Sequence, residues 1–179
     1  DACYGNMGEN TLPDQIAGLE QLAKLVPFLD LTRVGIWGHS GGGYAAADAM
    51  WSKTEVMWGL FSVPDRLVGV LGDVRDLHVV ELASGTAYFS AWLAAAGAKT
   101  VALDISGEQL ATARGLQRRV GPVFPLVQAD AERVPLSGGR FDLVVSEHGA
   151  AAWCDPERWL PEAARLLHPG GRLVFLTNS

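Results

Sequence analysis

The chain has 179 residues, 49% of them apolar and 19% charged, with a formal net charge of −6 at pH 7. This length can bury one good core and carry an appendage, and the acidic balance argues against a nucleic-acid-binding protein, which usually presents a basic face. No apolar run reaches the roughly 18 residues of a membrane span, and Cys3 and Cys154 fit neither a zinc site nor a disulfide framework. We therefore expect a cytoplasmic globular protein with no metal site, no nucleic-acid partner and no membrane partner.

The first part of the chain predicts a helix, a strand and a second helix. Thr11 can cap the first helix with Pro13 in its first turn, and apolar residues recur at helical spacing until Pro27. A short apolar strand is predicted at 33–37. A run of glycines then leads into a helix of small residues at 44–50.

The remainder of the chain has a more regular pattern. After an irregular segment, a short helix is predicted at 64–71, and from residue 78 onward strand and helix patterns alternate, which is typical of a parallel sheet covered by helices on both faces. The predicted strands are 78–83, 100–104, 124–128, 141–146 and 172–177, and the predicted helices are 87–97, 107–120 and 157–167. We place the domain boundary so that residues 1–54 form one fragment and residues 55–179 a second domain.

The most informative stretch joins the first strand of this alternating region to the following helix. Residues 81–87 end a buried strand in a turn of small residues, and Asp104 lies at the end of the next strand. Such a turn lets a ligand approach the backbone, and the carboxylate can accept hydrogen bonds from two ribose hydroxyls. The arrangement predicts a nucleoside pocket.

Residues 58–179 resemble the class I methyltransferases that use S-adenosylmethionine. Five elements occur in the order of that family: the turn at 81–87, Asp104, the turn at 128–132, the strand at 141–146, and the helix, turn and strand at 163–173. The resemblance implies S-adenosylmethionine as the cofactor and a small-molecule methyl acceptor as the other partner.

The resemblance also implies which residues contact the cofactor. Glu81 would anchor the ammonium of its amino-acid tail, Asp104 would hold the ribose, and Asp130 would accept from the adenine amine while Ala131 offers a backbone N–H. Gly85 leaves room for the ligand to approach the backbone. The full implied set is Glu81, Ala83, Ser84, Gly85, Thr86, Asp104, Ile105, Asp130, Ala131 and Ser146.

Two departures from the family pattern affect this expectation. Ala83 and Ala87 stand where the family mostly has glycine. If the first position needs a positive φ, alanine costs on the order of 1 kcal/mol or more and adds a methyl group that faces the ligand. The family also continues with two more strands, so the strand at 172–177 is expected as an exposed edge. We expect the fold to survive and cofactor affinity to fall.

His148 follows the strand at 141–146, near the place where an acceptor would lie. A single histidine there can be purely structural. With Glu147 it is nonetheless the best candidate for acceptor contact, or for proton removal if the acceptor must be deprotonated. Methyl transfer itself needs little side-chain chemistry, because in-line positioning can supply most of the acceleration.

Residues 1–50 resemble part of the prolyl-oligopeptidase-type serine peptidases of the α/β-hydrolase fold. The resemblance rests chiefly on the strand at 33–37 and the sequence Gly-His-Ser-Gly-Gly at 38–42, in which Ser40 corresponds to the nucleophile on a sharp strand-to-helix turn. In that fold the acid and the base follow the nucleophile, and a serine without a base is a poor nucleophile. A serine hydrolase that uses Ser40 and a non-catalytic α/β fusion scaffold therefore stay as alternatives.

Together these patterns predict a three-layer α/β protein. Its mostly parallel, Rossmann-like methyltransferase sheet is expected to be truncated after the fifth strand, and an N-terminal helix–strand–helix segment of the α/β-hydrolase type precedes it. The strand at 33–37 is expected to lie beside 172–177 and to replace the missing strands. The predicted activity is methyl transfer, weakened by Ala83, Ala87 and the truncation.

Overall fold

The structure is a computed structural model, and it describes residues 7–26, 31, 55–58 and 63–177. The chain divides into two compact units, Asp1–Ser52 and Lys53–Ser179. Several predictions lie outside the described residues: the strand at 33–37 and its place beside 172–177, the helix at 44–50, and Ser40.

The described part of the first unit is chiefly helix α1, Met7–Leu25. The prediction that Thr11 caps this helix is wrong, because the four residues before Thr11 are already helical. The prediction that Pro13 lies in the first turn is wrong as well, because the helix begins at Met7 and Pro13 lies inside it. A proline inside a helix removes one backbone hydrogen bond, and here the helix continues past it.

The second unit begins with a short antiparallel hairpin, β1 (Met57–Trp58) with β2 (Val63–Pro64). Helix α2, Asp65–Val68, follows directly and is only four residues long. The predicted helix at 64–71 therefore ends early. Gly69 ends it in the left-handed conformation at φ 72°, and its N–H donates to the carbonyl of Asp65.

A five-stranded sheet forms the centre of the second unit. Its strands are β3 (His78–Leu82), β4 (Lys99–Asp104), β5 (Leu126–Gln128), β6 (Phe141–Glu147) and β7 (Leu167–Leu176). They lie in the order β5-β4-β3-β6-β7, and every neighbouring pair is parallel. The predicted Rossmann-like sheet is confirmed.

Four helices accompany these strands: α3 (Tyr88–Ala95), α4 (Gly107–Val120), α5 (Ala150–Trp153) and α6 (Pro156–Leu166). Side-chain caps fix two of their starts. The Ser106 side chain accepts from the Gln109 N–H at the start of α4, and the Asp155 side chain accepts from the Glu157 N–H at the start of α6. Such caps satisfy N–H groups that have no partner within the helix.

Two strand boundaries differ from the prediction. Strand β5 begins only at Leu126, because Pro125 has no N–H to donate to a ladder. Strand β7 begins at Leu167, five residues ahead of the predicted 172. Leu167 pairs with Phe141, and an irregularity in register absorbs the glycine-rich residues before Arg172 pairs with Leu143. The sequence signal read as a turn is therefore an irregular strand.

The two faces of the sheet are covered by different helices, which gives the three predicted layers. Val80 and Leu82 pack with Trp159 and Leu166 of α6 in one buried cluster. Side chains alternate along a strand, so Glu81 points to the opposite face, where it bonds to Ser90 of α3. Among the helices in the part of the chain that the structure describes, none is long and apolar enough to cross a membrane.

Candidate active site

The carboxyl ends of the parallel strands form one edge of the sheet. Strand β3 lies at its centre, with β4 on one side and β6 on the other. The chain from β3 runs to β4 and β5, then crosses over to β6 and β7, so the direction of strand addition reverses at β3. Ligands of open α/β sheets bind outside the carboxyl ends at such a reversal. Most of the predicted site residues lie at this edge.

The turn after β3 is held in an unusual backbone conformation. Ala83, Gly85 and Ala87 all have positive φ values, of 56°, 55° and 57°. Ala83 thus has the positive φ at which alanine is unfavourable, and so does Ala87. For an L-residue this conformation costs roughly 1–2 kcal/mol, so the turn stores strain at two alanines. The space around the Gly85 α-carbon is open, since a Cβ there would meet nothing within 4 Å.

Asp104 stabilises this turn by hydrogen bonds. Its side chain is almost fully buried at the end of β4. One carboxylate oxygen, Oδ2, accepts from the Gly85 N–H at 2.7 Å, and Oδ1 accepts from the Ser106 N–H at 2.8 Å. The backbone adds a third link, because the Ser84 N–H donates to the Leu103 carbonyl at 2.9 Å. A carboxylate can accept about four hydrogen bonds, so Asp104 keeps capacity for two more donors.

Glu81 lies behind the turn and is only 2% exposed. Its Oε2 accepts from both the N–H and the hydroxyl of Ser90, at 2.9 and 2.5 Å. Burial raises the pKa of Glu81 to about 8; the Ser90 hydrogen bonds oppose this rise, and the charges of Glu147 and Asp104 add to it. Glu81 is therefore a buried carboxyl group that is largely protonated at neutral pH until a cation comes near it.

Asp130 and Ala131 follow β5 on the other side of Asp104. Asp130 is exposed, and its Oδ1 accepts from the Glu132 N–H at 2.8 Å, while Ala131 is buried. Burial raises the pKa of the nearby Cys154 thiol, and the charges of Glu132, Asp130 and Asp104 raise it further. The charge of Asp104 thus raises the pKa of Glu81 on one side and, together with the charge of Asp130, raises the pKa of Cys154 on the other.

The remaining predicted residues fall into two groups. Ile105 is 67% exposed directly after Asp104, where it offers an apolar surface to a ligand, and Thr86 is half-buried in the turn. Ser84 and Ser146 are buried at the ends of β3 and β6, and neither hydroxyl has a hydrogen-bond partner within the described residues. Buried hydroxyl groups normally find partners, so these two are available to a ligand.

A further cluster lies at the end of β6. Glu147 is buried, and its Oε2 accepts a short hydrogen bond from the Tyr88 hydroxyl at the start of α3. Burial, together with the charge of Glu147, raises the pKa of Tyr88 far above its ordinary value, so this hydroxyl keeps its proton. The Nε2 atom of His148 lies 3.7 Å from Glu147 Oε1.

Gly149 connects this cluster to the turn. A Cβ at Gly149 would lie 2.4 Å from the Ala83 carbonyl oxygen and 2.7 Å from that of Leu82. Neither Gly149 nor Tyr88 was among the predicted site residues. A glycine just after a strand end hints at a close backbone approach, but no sequence signal links Tyr88 to a carboxylate 59 residues away.

No group of three or more potential ligands that could hold a metal ion occurs among the residues that the structure describes. In this part of the chain the edge offers carboxyl groups, open backbone and two hydroxyls that have no hydrogen-bond partner among the described residues. This combination can bind a ligand that carries hydroxyl donors and a positive charge.

Comparison with known proteins gives two family matches. A model of the methyltransferase domain family matches residues 80–175, and a model of the prolyl oligopeptidase family matches residues 1–63. The first covers every strand of the parallel sheet except parts of β3 and β7. The second includes Ser40 and extends past the boundary predicted after residue 54.

Curated relatives and solved structures agree with the first match. A demethylmenaquinone methyltransferase of Mycolicibacterium gilvum (strain PYR-GCK) is 44% identical over 96 residues, which cover 54% of this chain and 40% of that enzyme. A malonyl-[acyl-carrier protein] O-methyltransferase of Enterobacter lignolyticus (strain SCF1) is 37% identical over 114 residues, or 63% of this chain and 43% of that enzyme. The chain thus spans less than half of either relative.

Among solved structures, an S-adenosylmethionine dependent methyltransferase from Mesorhizobium loti aligns with a TM-score of 0.54 and 31% identity. The alignment covers 63% of this chain and 51% of that one.

Proposed function

Because the chain belongs to the methyltransferase domain family, we propose that its second unit binds S-adenosylmethionine and transfers the methyl group to a small-molecule acceptor. The observation that supports this most directly is Asp104. It is a buried carboxylate at the end of β4 with two lone-pair positions to spare, beside a backbone turn with open space over Gly85. This pairing suits a ribose with two hydroxyl donors.

The residues at the edge fit the rest of the cofactor. S-adenosylmethionine carries an ammonium and no phosphate, and the edge offers the buried carboxyl group of Glu81 rather than a phosphate cradle. The hydroxyls of Ser84 and Ser146 have no hydrogen-bond partner among the described residues and can bond to the polar tail of a ligand. Ile105 can pack against the adenine. The methyl groups of Ala83 and Ala87 are the features that fit least well.

The chemical requirement on the protein is modest. When bound, S-adenosylmethionine supplies a methyl group that its positively charged sulfonium has already activated. The protein then has to hold the acceptor in line with that methyl group, and effective molarities for aligned groups reach about 10⁵–10⁸ M. We assign this positioning, and proton removal where an acceptor needs it, to the region around His148.

Calorimetry with S-adenosylmethionine and with its demethylated product tests the proposal. The variant Asp104→Asn should weaken binding at least about tenfold, since its amide group places a donor where an N–H now donates and it lacks the negative charge. Asp76→Asn is a matched control. It makes the same chemical change at the other end of the sheet, at an exposed position with φ 63° that asparagine tolerates. No heat with the wild-type chain at millimolar ligand would refute the proposal.

A second candidate function is hydrolysis at Ser40, which the prolyl oligopeptidase match over residues 1–63 favours. Labelling by a fluorophosphonate that disappears in Ser40→Ala would support it. Absence of labelling in the folded wild-type chain would leave residues 1–54 as a non-catalytic fragment next to the methyltransferase domain that we place at 55–179.

A further inference from the structure

The cluster of Tyr88, Glu147 and His148 is not needed to bind S-adenosylmethionine, yet it is built into the same edge. Glu147 accepts from Tyr88 and Glu81 accepts from Ser90, both in the first turn of α3, so the two carboxyl groups lie near each other. His148 is half-buried, with 30% of its side chain exposed. Its imidazole therefore reaches the solvent side of the edge while its neighbour Glu147 is enclosed.

Three observations show that the backbone around His148 is fixed. Its φ of 48° is left-handed, a conformation that a non-glycine residue rarely adopts. Its N–H donates to the Leu176 carbonyl at 3.0 Å. The next residue, Gly149, packs directly on the carbonyls of Leu82 and Ala83. Strain that the surroundings maintain is typical of functional sites, and here it turns successive residues, which on a regular strand point to opposite faces, toward one another.

The carboxylate of Glu147 makes the two nitrogens of His148 unequal. Tyr88 donates to Oε2 and leaves Oε1 facing His148 Nε2 at 3.7 Å. A carboxylate near one ring nitrogen favours the tautomer that carries its proton there. Nδ1 then holds the lone pair and can accept a proton.

We propose that His148 is a general base for the methyl acceptor, that Glu147 and Tyr88 position it, and that the acceptor is a hydroxyl or carbon acid still protonated at neutral pH. This inference rests on the proposed function. An aromatic hydroquinone belongs to that class. A carboxylate, which is already ionised at neutral pH, does not and would leave the cluster unused.

For a hydroxyl acceptor, the O–H proton passes to Nδ1 of His148 while the oxygen forms a bond to the methyl carbon. The carbon–sulfur bond of the donor breaks, and its electron pair stays on sulfur, which becomes a neutral thioether. His148 ends as an imidazolium next to the Glu147 carboxylate and later returns the proton to water.

The first arm of the test needs neither cofactor nor acceptor. Nitrogen-15 spectra of the full chain at about pH 8.5, where an ordinary imidazole is neutral, report which ring nitrogen of His148 carries the proton. We expect a larger Nε2–H fraction at His148 than at the exposed His78 in the wild type, and a fall to the His78 level in Glu147→Gln. Tyr88→Phe should lower that fraction, and His78 serves as an internal control. An unchanged tautomer in Glu147→Gln would overturn the assignment of Glu147.

The second arm measures methyl transfer to a hydroquinone and to a malonyl thioester with a free carboxylate. His148→Gln should lower kcat for the hydroquinone by about 10²–10⁴-fold, the usual contribution of a general base, with the dissociation constant of S-adenosylmethionine unchanged within about twofold. Glu147→Gln should lower kcat less and change its pH profile. Preferred transfer to the carboxylate, or hydroquinone turnover unaffected by His148→Gln, would overturn the inference.

The two failures can be told apart. A wild-type chain that does not bind S-adenosylmethionine refutes the proposed function, and the tautomer result still decides whether Glu147 positions His148. A chain that binds S-adenosylmethionine but methylates neither probe overturns the acceptor class.

Discussion

The buried carboxyl group of Glu81 makes the stability of the second unit depend on pH. Its pKa is raised from an ordinary 4.5 to about 8, mainly by burial. Between these values the folded protein holds a proton that the unfolded chain has released. The stabilising contribution of protonated Glu81 is therefore fully present below about pH 4.5 and is lost as the pH rises through about 8.

Replacing Glu81 by glutamine isolates this effect. Glutamine has the shape of a protonated glutamate, and its carbonyl oxygen can still accept from the N–H of Ser90. Each pH unit in this range changes the stability of the wild type relative to Glu81→Gln by at most about 1.4 kcal/mol. From pH 5 to pH 7 the free energy of unfolding of the variant should thus rise by up to about 2.7 kcal/mol relative to that of the wild type.

Urea unfolding followed by tryptophan fluorescence can measure this difference, because Trp92 and Trp159 are buried in the second unit. The control Glu108→Gln removes an exposed carboxylate of α4, which water hydrates in the folded and the unfolded chain alike, so its difference from the wild type should hardly change. A difference in unfolding free energy between the wild type and Glu81→Gln that is the same at pH 5 and pH 7 would show that Glu81 does not hold a raised pKa.

Three further predictions concern other parts of the second unit. Both ring nitrogens of His168 face acceptors, Asp142 Oδ1 at 2.8 Å and the Pro169 carbonyl at 2.7 Å, and these hydrogen bonds raise its pKa. The stability lost in His168→Gln should therefore be largest below about pH 6.5 and should shrink as the pH rises through the raised value, as measured by urea unfolding at pH 5.5 and 8.5. Ala83→Gly should relieve positive-φ strain and raise the free energy of unfolding by about 0–1 kcal/mol. Ala94→Gly, at an ordinary helical position in α3, is the comparison, and a loss of stability in Ala83→Gly as large as in Ala94→Gly would contradict this prediction. Gly149→Ala should lower cofactor affinity and cost about 1–3 kcal/mol in urea unfolding, and an unchanged affinity would show that the contact with the turn is not needed.

The parallel pairing of the strands and the place of the site could be predicted from the sequence. Alternating strand and helix patterns after residue 78 specify parallel pairing, because each return to the sheet needs a crossover helix. The carboxyl ends then meet at one edge wherever the exact boundaries lie. Asp104 could be placed at that edge from its position in the strand alone.

The partners of the site residues could not be predicted in the same way. The hydrogen bonds of Glu81 to Ser90 and of Glu147 to Tyr88 depend on how α3 packs on the sheet. Helix packing is set by the whole core, and local patterns do not specify it. The strand character of residues 167–171 also came from pairing with β6, against a local Pro-Gly-Gly sequence that favours a turn.

We propose above that the carboxyl edge of the sheet binds an adenosine-bearing methyl donor. A titration of the nitrogen-15-labelled chain with S-adenosylhomocysteine, followed by amide chemical shifts, tests it most directly. We expect the largest shifts on Ser84, Gly85, Ile105 and Ala131, and Asp104→Asn should strongly reduce them at the same ligand concentration. Shifts confined to the opposite end of the strands, or none at millimolar ligand, would contradict it.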